Sequence, residues 1–148
     1  MKIIIPGDPI AKARPRFARR GQFVSTYNVQ ETEEGRALLL CRDQIKEQFT
    51  GPIEASLWFF IRRPKSHYGT GRNAEILKKT SPVYPSVKPP DVDNYVKFYL
   101  DILNGVAWVD DAQICYIKAC KRFCEIGKQP STVIMLQPLV SDFVTLDD

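Results

Sequence analysis

The sequence predicts an α+β fold: a two-layer domain in which two helices pack on one face of a mixed β-sheet. Apolar residues recur at helical spacing in two stretches, residues 31–49 and 93–104. Four other stretches are apolar or alternate as strands do: residues 1–5, 55–61, 114–126 and 131–139. Their order along the chain is β-α-β-α-β-β, and a length of 148 residues suits a single domain over residues 1–148.

The first helix is expected to begin near Glu31. Asn28 and Glu31 resemble a capping box, in which two side chains satisfy free backbone N–H groups at a helix start. Gly51 and Pro52 mark its end near residue 49. Its buried stripe should consist of four apolar residues: Leu38, Cys41, Ile45 and Phe49.

The strands differ in expected position. Residues 55–61 should form a central strand, because they hold three consecutive aromatic residues and end before Pro64. Residues 114–126 alternate, with Cys115, Ile117, Ala119 and Phe123 expected on the inner face. Residues 131–139 are expected to pair antiparallel with residues 114–126 across a turn at 127–130.

The second helix carries acidic residues at its start. Val96, Leu100 and Leu103 recur at core spacing, and Gly105 is a natural stop. Prolines at positions 89 and 90 keep the approach extended. Asp91 and Asp93 should therefore lie at the helix N-terminus, where the helix dipole favours negative charge.

The aspartates of this region allow two interpretations. Asp93, Lys97 and Asp101 follow one another at i, i+4 and i+8, which suits a ladder of surface ion pairs worth ~0.2–1 kcal/mol each. Asp110 and Asp111, however, follow a short apolar turn that should bring the chain back beside the helix N-terminus. Three carboxylates meeting there would repel one another unless a hard cation such as Mg²⁺ lay between them.

Positive charge is concentrated before residue 91. Residues 1–90 hold sixteen Lys and Arg against eight Asp and Glu, whereas residues 91–148 hold five against nine, which gives the net +4. A basic loop at about residues 11–24 carries five cations and no acid: Lys12, Arg14, Arg16, Arg19 and Arg20. Gly21 could turn an exposed hairpin there, with Phe17 and Phe23 among the cations. Contact with phosphate is favoured over a solvated loop.

A second basic segment, at about residues 64–90, contains five prolines. It is expected to form a mobile wall of a DNA channel or an untidy linker, with one or two helical turns at 73–79. Lys88 at its end is a further candidate for DNA contact. Residues 141–148 are acidic and should be frayed.

Several classes of protein are excluded or disfavoured by composition. No apolar run approaches the ~18 residues that span a bilayer, and the apolar start is too short for a signal peptide, so a cytoplasmic protein is expected. The four cysteines form no CxxC pair and His67 is the lone histidine, which disfavours zinc. All four cysteines are expected to be reduced interior residues. A calcium EF-hand starting at Asp91 is excluded, because Val96 replaces the required Gly.

The acidic stretch holds its residues at fixed spacing in two runs, Asp91-x-Asp93-Asn94-x-x-Lys97-x-x-x-Asp101-x-Leu103-x-Gly105 and Asp110-Asp111-x-Gln113-Ile114. This spacing resembles the signature of the RusA-type Holliday junction resolvases, the crossover junction endodeoxyribonucleases. Residues 7–17 (GDPIAKARPRF) also resemble the N-terminal segment of the Gram-positive and phage branch of that family.

The resemblance implies a homodimeric, Mg²⁺-dependent endonuclease that nicks four-way DNA junctions in recombination and repair, with Mn²⁺ as a substitute metal. It places the metal-binding aspartates at Asp91, Asp93 and Asp111 and the essential lysine at Lys97, with Asp101 and Asp110 in supporting roles. Two alternatives stay open. One is a DNA-binding protein selective for branched structures that does not cleave, and the other is a metal-dependent nuclease of flaps or forks.

Overall fold

The structure is a computed structural model and describes residues 1–87 and 89–140. Its elements are β1 (Lys2–Pro6), β2 (Arg16–Arg20), β3 (Phe23–Tyr27), α1 (Glu31–Arg42), β4 (Ile53–Ile61), α2 (Val92–Leu103), β5 (Ile114–Phe123) and β6 (Ser131–Pro138). The α+β class is confirmed. The predictions for Lys88 and for residues 141–148 fall outside the described residues.

Four strands form a mixed sheet in the order β1-β6-β4-β5. β6 is antiparallel to both β1 and β4, whereas β4 and β5 are parallel and are joined through α2. β4 is central, as predicted. Its inward residues have no solvent exposure, namely Ile53, Ala55, Leu57 and Phe59.

The predicted pairing of the last two strands is wrong. β6 pairs with β1 and β4, and β4 lies between β5 and β6. The apolar strand β4 is buried and has a neighbour on each side, whereas β5 carries Lys118, Lys121 and Arg122 and lies at the edge, where charged side chains reach solvent. Residues 124–130 therefore form a connection that crosses past β4 instead of a hairpin turn.

Both helices contribute to a single core cluster with the sheet. From α2 come Tyr95, Phe98, Tyr99, Ile102 and Leu103, and from α1 come Ala37 and Cys41. The ring of Phe59 on β4 stacks on Tyr95 at a centroid distance of 5.0 Å. The hydrophobic seam along α2 fixes one face of that helix against the sheet and leaves its acidic face outward.

Helix α1 is shorter than predicted and ends at Arg42. The amide of Gln44 turns back onto β1, accepting from the N–H of Ile4 (2.9 Å) and donating to its carbonyl (2.8 Å). This pairing covers the free edge of the sheet, so the chain after residue 42 follows β1 instead of continuing the helix. Ile45 and Phe49 still pack against the core.

The predicted capping box does not form. The N-cap of α1 is Gln30, which makes no side-chain cap hydrogen bond. Asn28 instead donates to Glu34 Oε2 at 2.8 Å.

The cysteines are not all interior. Cys41 and Cys124 are buried, but Cys115 is exposed and Cys120 is half-buried, because both lie on the edge strand β5. The same position explains why Ile117 is 49% exposed, and β5 ends at Phe123 instead of residue 126.

The segment before α2 has more order than a linker. Two 3₁₀ turns, Lys65–His67 and Gly71–Asn73, replace the helical turns predicted at 73–79. Arg63 holds the segment to the sheet by donating to the carbonyls of Cys124 (2.8 Å) and Pro82 (2.9 Å). Within the described residues no helix is both long and apolar enough to cross a membrane.

Candidate functional site

Two aspartates lie at the start of α2, as predicted. Asp91 is the N-cap residue in an extended conformation, and Asp93 lies in the first turn. The Asp91 carboxylate makes no cap hydrogen bond to the helix, although N-cap aspartates commonly do. Both carboxylates are exposed at the positive end of the helix dipole.

A cavity of about 540 Å³ opens between α2 and β5. Its polar lining is Asp93, Lys97, Asp101 and Asp111, and its apolar lining is Val92, Val96, Leu100, Ile114 and Ile117. We call it the acidic cavity. The structure therefore brings Asp93 and Asp111 to one cavity, although they lie far apart in the sequence and on separate elements. Asp91 lies outside the lining.

Asp111 is oriented by a buried tryptophan. The indole Nε1 of Trp108 donates to Asp111 Oδ1 at 3.1 Å, and the Trp108 side chain has no solvent exposure. A buried indole N–H requires an acceptor. This one hydrogen bond therefore satisfies the N–H of Trp108 and also fixes the orientation of the Asp111 carboxylate. Sequence reasoning missed Trp108, although an aromatic N–H donor three residues before an aspartate was a signal.

Asp110 and Gln113 hold the turn that carries Asp111. Asp110 accepts from the N–H of Ala112 (2.8 Å), and the Gln113 side chain accepts from the N–H groups of Val109 and Asp110. The Gln113 amide then donates to the carbonyls of Phe49 and Gly51. In the structure Asp110 shapes the turn, and Gln113, which sequence reasoning gave no role, attaches it to the loop before β4.

The ion-pair ladder along α2 is not observed. In the described part of the chain, the ion pairs within 4.0 Å are Lys12–Glu34 (2.7 Å), Lys12–Asp101 (3.1 Å) and Arg62–Asp8 (3.4 Å). Asp101 is thus paired with Lys12 and not with Lys97. The Lys97 ammonium is consequently available to the acidic cavity.

Lys12 joins three segments of the chain. Partial burial acts to lower the pKa of Lys12, but hydrogen bonds to Glu34 and Asp101 outweigh it, so the pKa lies above its ordinary value. Its backbone N–H also donates to the carbonyl of Asn94 in α2 (2.9 Å). The predicted contact of Lys12 with DNA would compete with these two carboxylates.

The four arginines of the basic loop are exposed: Arg14, Arg16, Arg19 and Arg20. Three of them lie on the β2–β3 hairpin, which turns at Gly21 as predicted, where φ is +62°. We call this pair of strands the basic hairpin. The side chain of Gln30 holds the base of this hairpin in place. Its amide accepts a hydrogen bond from the N–H of Ala13 (2.7 Å) and donates one to the carbonyl of Ala11 (2.8 Å).

The carboxylates do not form a complete metal cage. Within residues 1–87 and 89–140, no group of three or more Asp, Glu, His or Cys is placed to hold a metal ion. Of the carboxylates expected to meet, Asp93 and Asp111 line the cavity and Asp91 does not; Asp101, the third carboxylate in the lining, is paired with Lys12. Mg²⁺ is commonly held by one or two carboxylates, with water and substrate phosphate completing the octahedron, so the donor set fits that ion.

Comparison with known proteins identifies the family of this chain. The family described as "Endodeoxyribonuclease RusA" matches residues 6–137. The chain is also similar to "Uncharacterized protein YqaN" of Bacillus subtilis (strain 168), with 29% identity over 140 residues, covering 93% of this chain and 95% of that relative. The matched span includes the basic hairpin, α2 and the turn with Asp111. The chain belongs to the RusA family of endodeoxyribonucleases.

Proposed function

We propose that this protein is a Mg²⁺-dependent endonuclease that resolves four-way DNA junctions by symmetric nicking. The observation that carries the proposal is the acidic cavity, in which Asp93, Asp111 and an ammonium group, Lys97, face one space. Family membership supports DNA as the substrate. The metal, the junction and the symmetry are the parts that the proposal adds.

The residues divide the work as follows. Asp93 and Asp111 would hold Mg²⁺, and Asp91 lies at the helix start, outside the cavity lining. A bound ion would supply positive charge at the scissile phosphate and would lower the pKa of the water that acts as nucleophile, chemistry suited to hydrolysis to a 5′-phosphate. Lys97 lies one turn into α2, and its ammonium neutralises charge that develops on the phosphate oxygens in the transition state. Trp108 keeps the Asp111 carboxylate aimed into the cavity.

Symmetric nicking needs two such sites. A two-fold homodimer presents the same surface twice and would place one site on each of two opposing strands of a junction. The dimer is therefore part of the proposal, and sedimentation of the protein with and without junction DNA measures it.

The test uses purified protein with Mg²⁺ on a synthetic four-way junction, a flap and a linear duplex of matched sequence. Wild type should give paired nicks in the junction, and Asp93→Asn should bind the junction without cutting it. Asp43→Asn is the matched control, because Asp43 is an exposed carboxylate at the far end of α1. Binding without cutting by wild type would indicate a passive DNA-binding protein, and cutting of flaps alone would indicate the other alternative.

A further inference from the structure

The basic hairpin exposes apolar as well as charged side chains. Phe23 is 82% exposed, Phe17 73%, Val24 62% and Tyr27 47%. Every residue of β3 is exposed. An isolated two-stranded hairpin is at best marginally stable in water, so this arrangement gains order when a partner covers it.

The register of the strands separates the exposed residues into two faces. Cross-strand partners share a face. One face carries Arg16 opposite Tyr27 and Arg20 opposite Phe23, with Ala18 and Ser25 between them. The other face carries Phe17 opposite Thr26 and Arg19 opposite Val24. Only the first face of this hairpin places an arginine beside each of two aromatic rings.

The charge of this face identifies its partner. From residue 9 to residue 30 the sequence contains five cations and no acidic residue. A second copy of the same hairpin would bring like charges together, whereas a polyanion complements them. Aromatic rings beside arginines are the combination that binds unstacked bases, with the ring stacking on the base and the guanidinium gripping the adjacent phosphate.

The hairpin begins close to the acidic cavity. The backbone N–H of Lys12 bonds to Asn94 in the first turn of α2, and β2 starts four residues later. Four residues of extended chain reach at most about 14 Å. The face with Phe23 and Tyr27 therefore starts within the width of a DNA duplex from the first turn of α2, which carries Asp93.

We infer that this face of the basic hairpin is a binding site for unstacked bases at the branch point of DNA, with Phe23 as the stacking ring and Arg20 on the neighbouring phosphate. The inference rests on the proposed function, since branched DNA supplies unstacked bases beside duplex arms. It adds a determinant of selectivity that is separate from the cleavage chemistry.

The test measures binding without divalent metal, so that it does not depend on cleavage. The probes are a four-way junction with 2-aminopurine at the branch point and a linear duplex of equal length. Phe23→Ala should weaken junction binding about 5- to 150-fold, the range for one stacked base, and leave duplex binding within about twofold. The change in 2-aminopurine fluorescence that wild type produces at the branch point should be lost with Phe23→Ala, and Phe23→Trp should restore junction binding.

Phe17→Ala is the matched control, because Phe17 is also a largely exposed ring and lies on the opposite face. It should leave junction binding within about twofold. Equal losses for both variants, or equal losses on junction and duplex, would overturn the inference. Dissociation of a wild-type dimer by Phe23→Ala would also overturn it, since the face would then cover a second copy.

The two proposals fail separately. Branch-point fluorescence that depends on Phe23, in a protein that does not nick junctions with Mg²⁺, supports the base site and contradicts the proposed function. Paired nicking with no dependence of junction binding on Phe23 supports the function and overturns the base site.

Discussion

The acidic cavity and the basic hairpin are held by the fold in opposite ways. Asp111 sits on a turn fixed by Trp108 and Gln113, and Asp93 sits on a helix whose other face is core. The hairpin, in contrast, is fixed at its base by Gln30 and is exposed along both strands. Groups that act on a reacting phosphate require fixed positions, whereas a surface that meets DNA of variable shape can adapt.

This contrast predicts that substitutions in the acidic cavity abolish cleavage and leave DNA binding intact. Substitutions in the hairpin should weaken DNA binding and leave the cleavage rate at saturating DNA unchanged.

Lys97→Ala should give the largest effect. Loss of a positioned charge at a developing anion typically reduces the rate of the chemical step by about 10²–10³-fold. Junction affinity should change little, because one phosphate contact is lost among several. Single-turnover cleavage at saturating protein measures the rate, and Lys118→Ala on β5 is the matched control. Normal cutting by Lys97→Ala would show that its assigned role is wrong.

Trp108→Phe should reduce cleavage about tenfold. The change removes the N–H bonded to Asp111 and keeps most of the buried ring, so the carboxylate loses its orientation. The free energy of unfolding should fall by about 1.5–3 kcal/mol, the range for a hydrogen bond to a charged group. A higher Mg²⁺ concentration for half-maximal rate is the readout that distinguishes orientation from stability. Trp58→Phe, on half-buried Trp58 of β4, is the control.

Arg16→Ala combined with Arg20→Ala should weaken DNA binding without lowering the rate at saturating DNA. Each lost phosphate contact should reduce the slope of log affinity against log salt by about 0.9. Arg42→Ala, at the end of α1, is the control. Unchanged salt slopes would remove the basic hairpin from the DNA interface.

Lys12→Met should have the smallest effect. It should lower the free energy of unfolding by about 1 kcal/mol or less, in the range of partly exposed ion pairs. Because the folded-state pKa of Lys12 is raised, its contribution to stability is present below the unfolded pKa and is lost as pH rises through the folded pKa. Urea denaturation of both proteins between neutral pH and strongly alkaline pH checks this. A difference that grows with pH would contradict the ion-pair account.

The features that depend on local sequence were predictable. Helix α2 and its acidic start follow from a strong helical period, and the observed bounds differ from the prediction by one residue at each end. Of the predicted apolar stripe only Leu103 is buried, whereas Val96 and Leu100 are half-buried and line the acidic cavity. The basic hairpin followed from Gly21, which separates the cationic residues 12–20 from the uncharged residues 22–30.

Features that depend on contacts between distant parts of the chain were not predictable from the sequence. The position of β6 between β1 and β4 is a non-local pairing that the turn at 127–130 did not reveal. The end of α1 depends on Gln44 reaching the backbone of Ile4. The separation of Asp91 from the cavity shared by Asp93 and Asp111 depends on how α2 packs beside β5, which spacing along the chain does not encode.

We propose that Asp93 and Asp111, from separate elements, hold one divalent ion at the cavity beside Lys97. Anomalous diffraction from Mn²⁺ in crystals of the protein bound to a four-way junction is the decisive measurement. We expect an anomalous peak within coordination distance of carboxylate oxygens from both Asp93 and Asp111 and of a DNA phosphate. A junction-bound structure with Mn²⁺ elsewhere, or with no Mn²⁺ between these carboxylates, would contradict it.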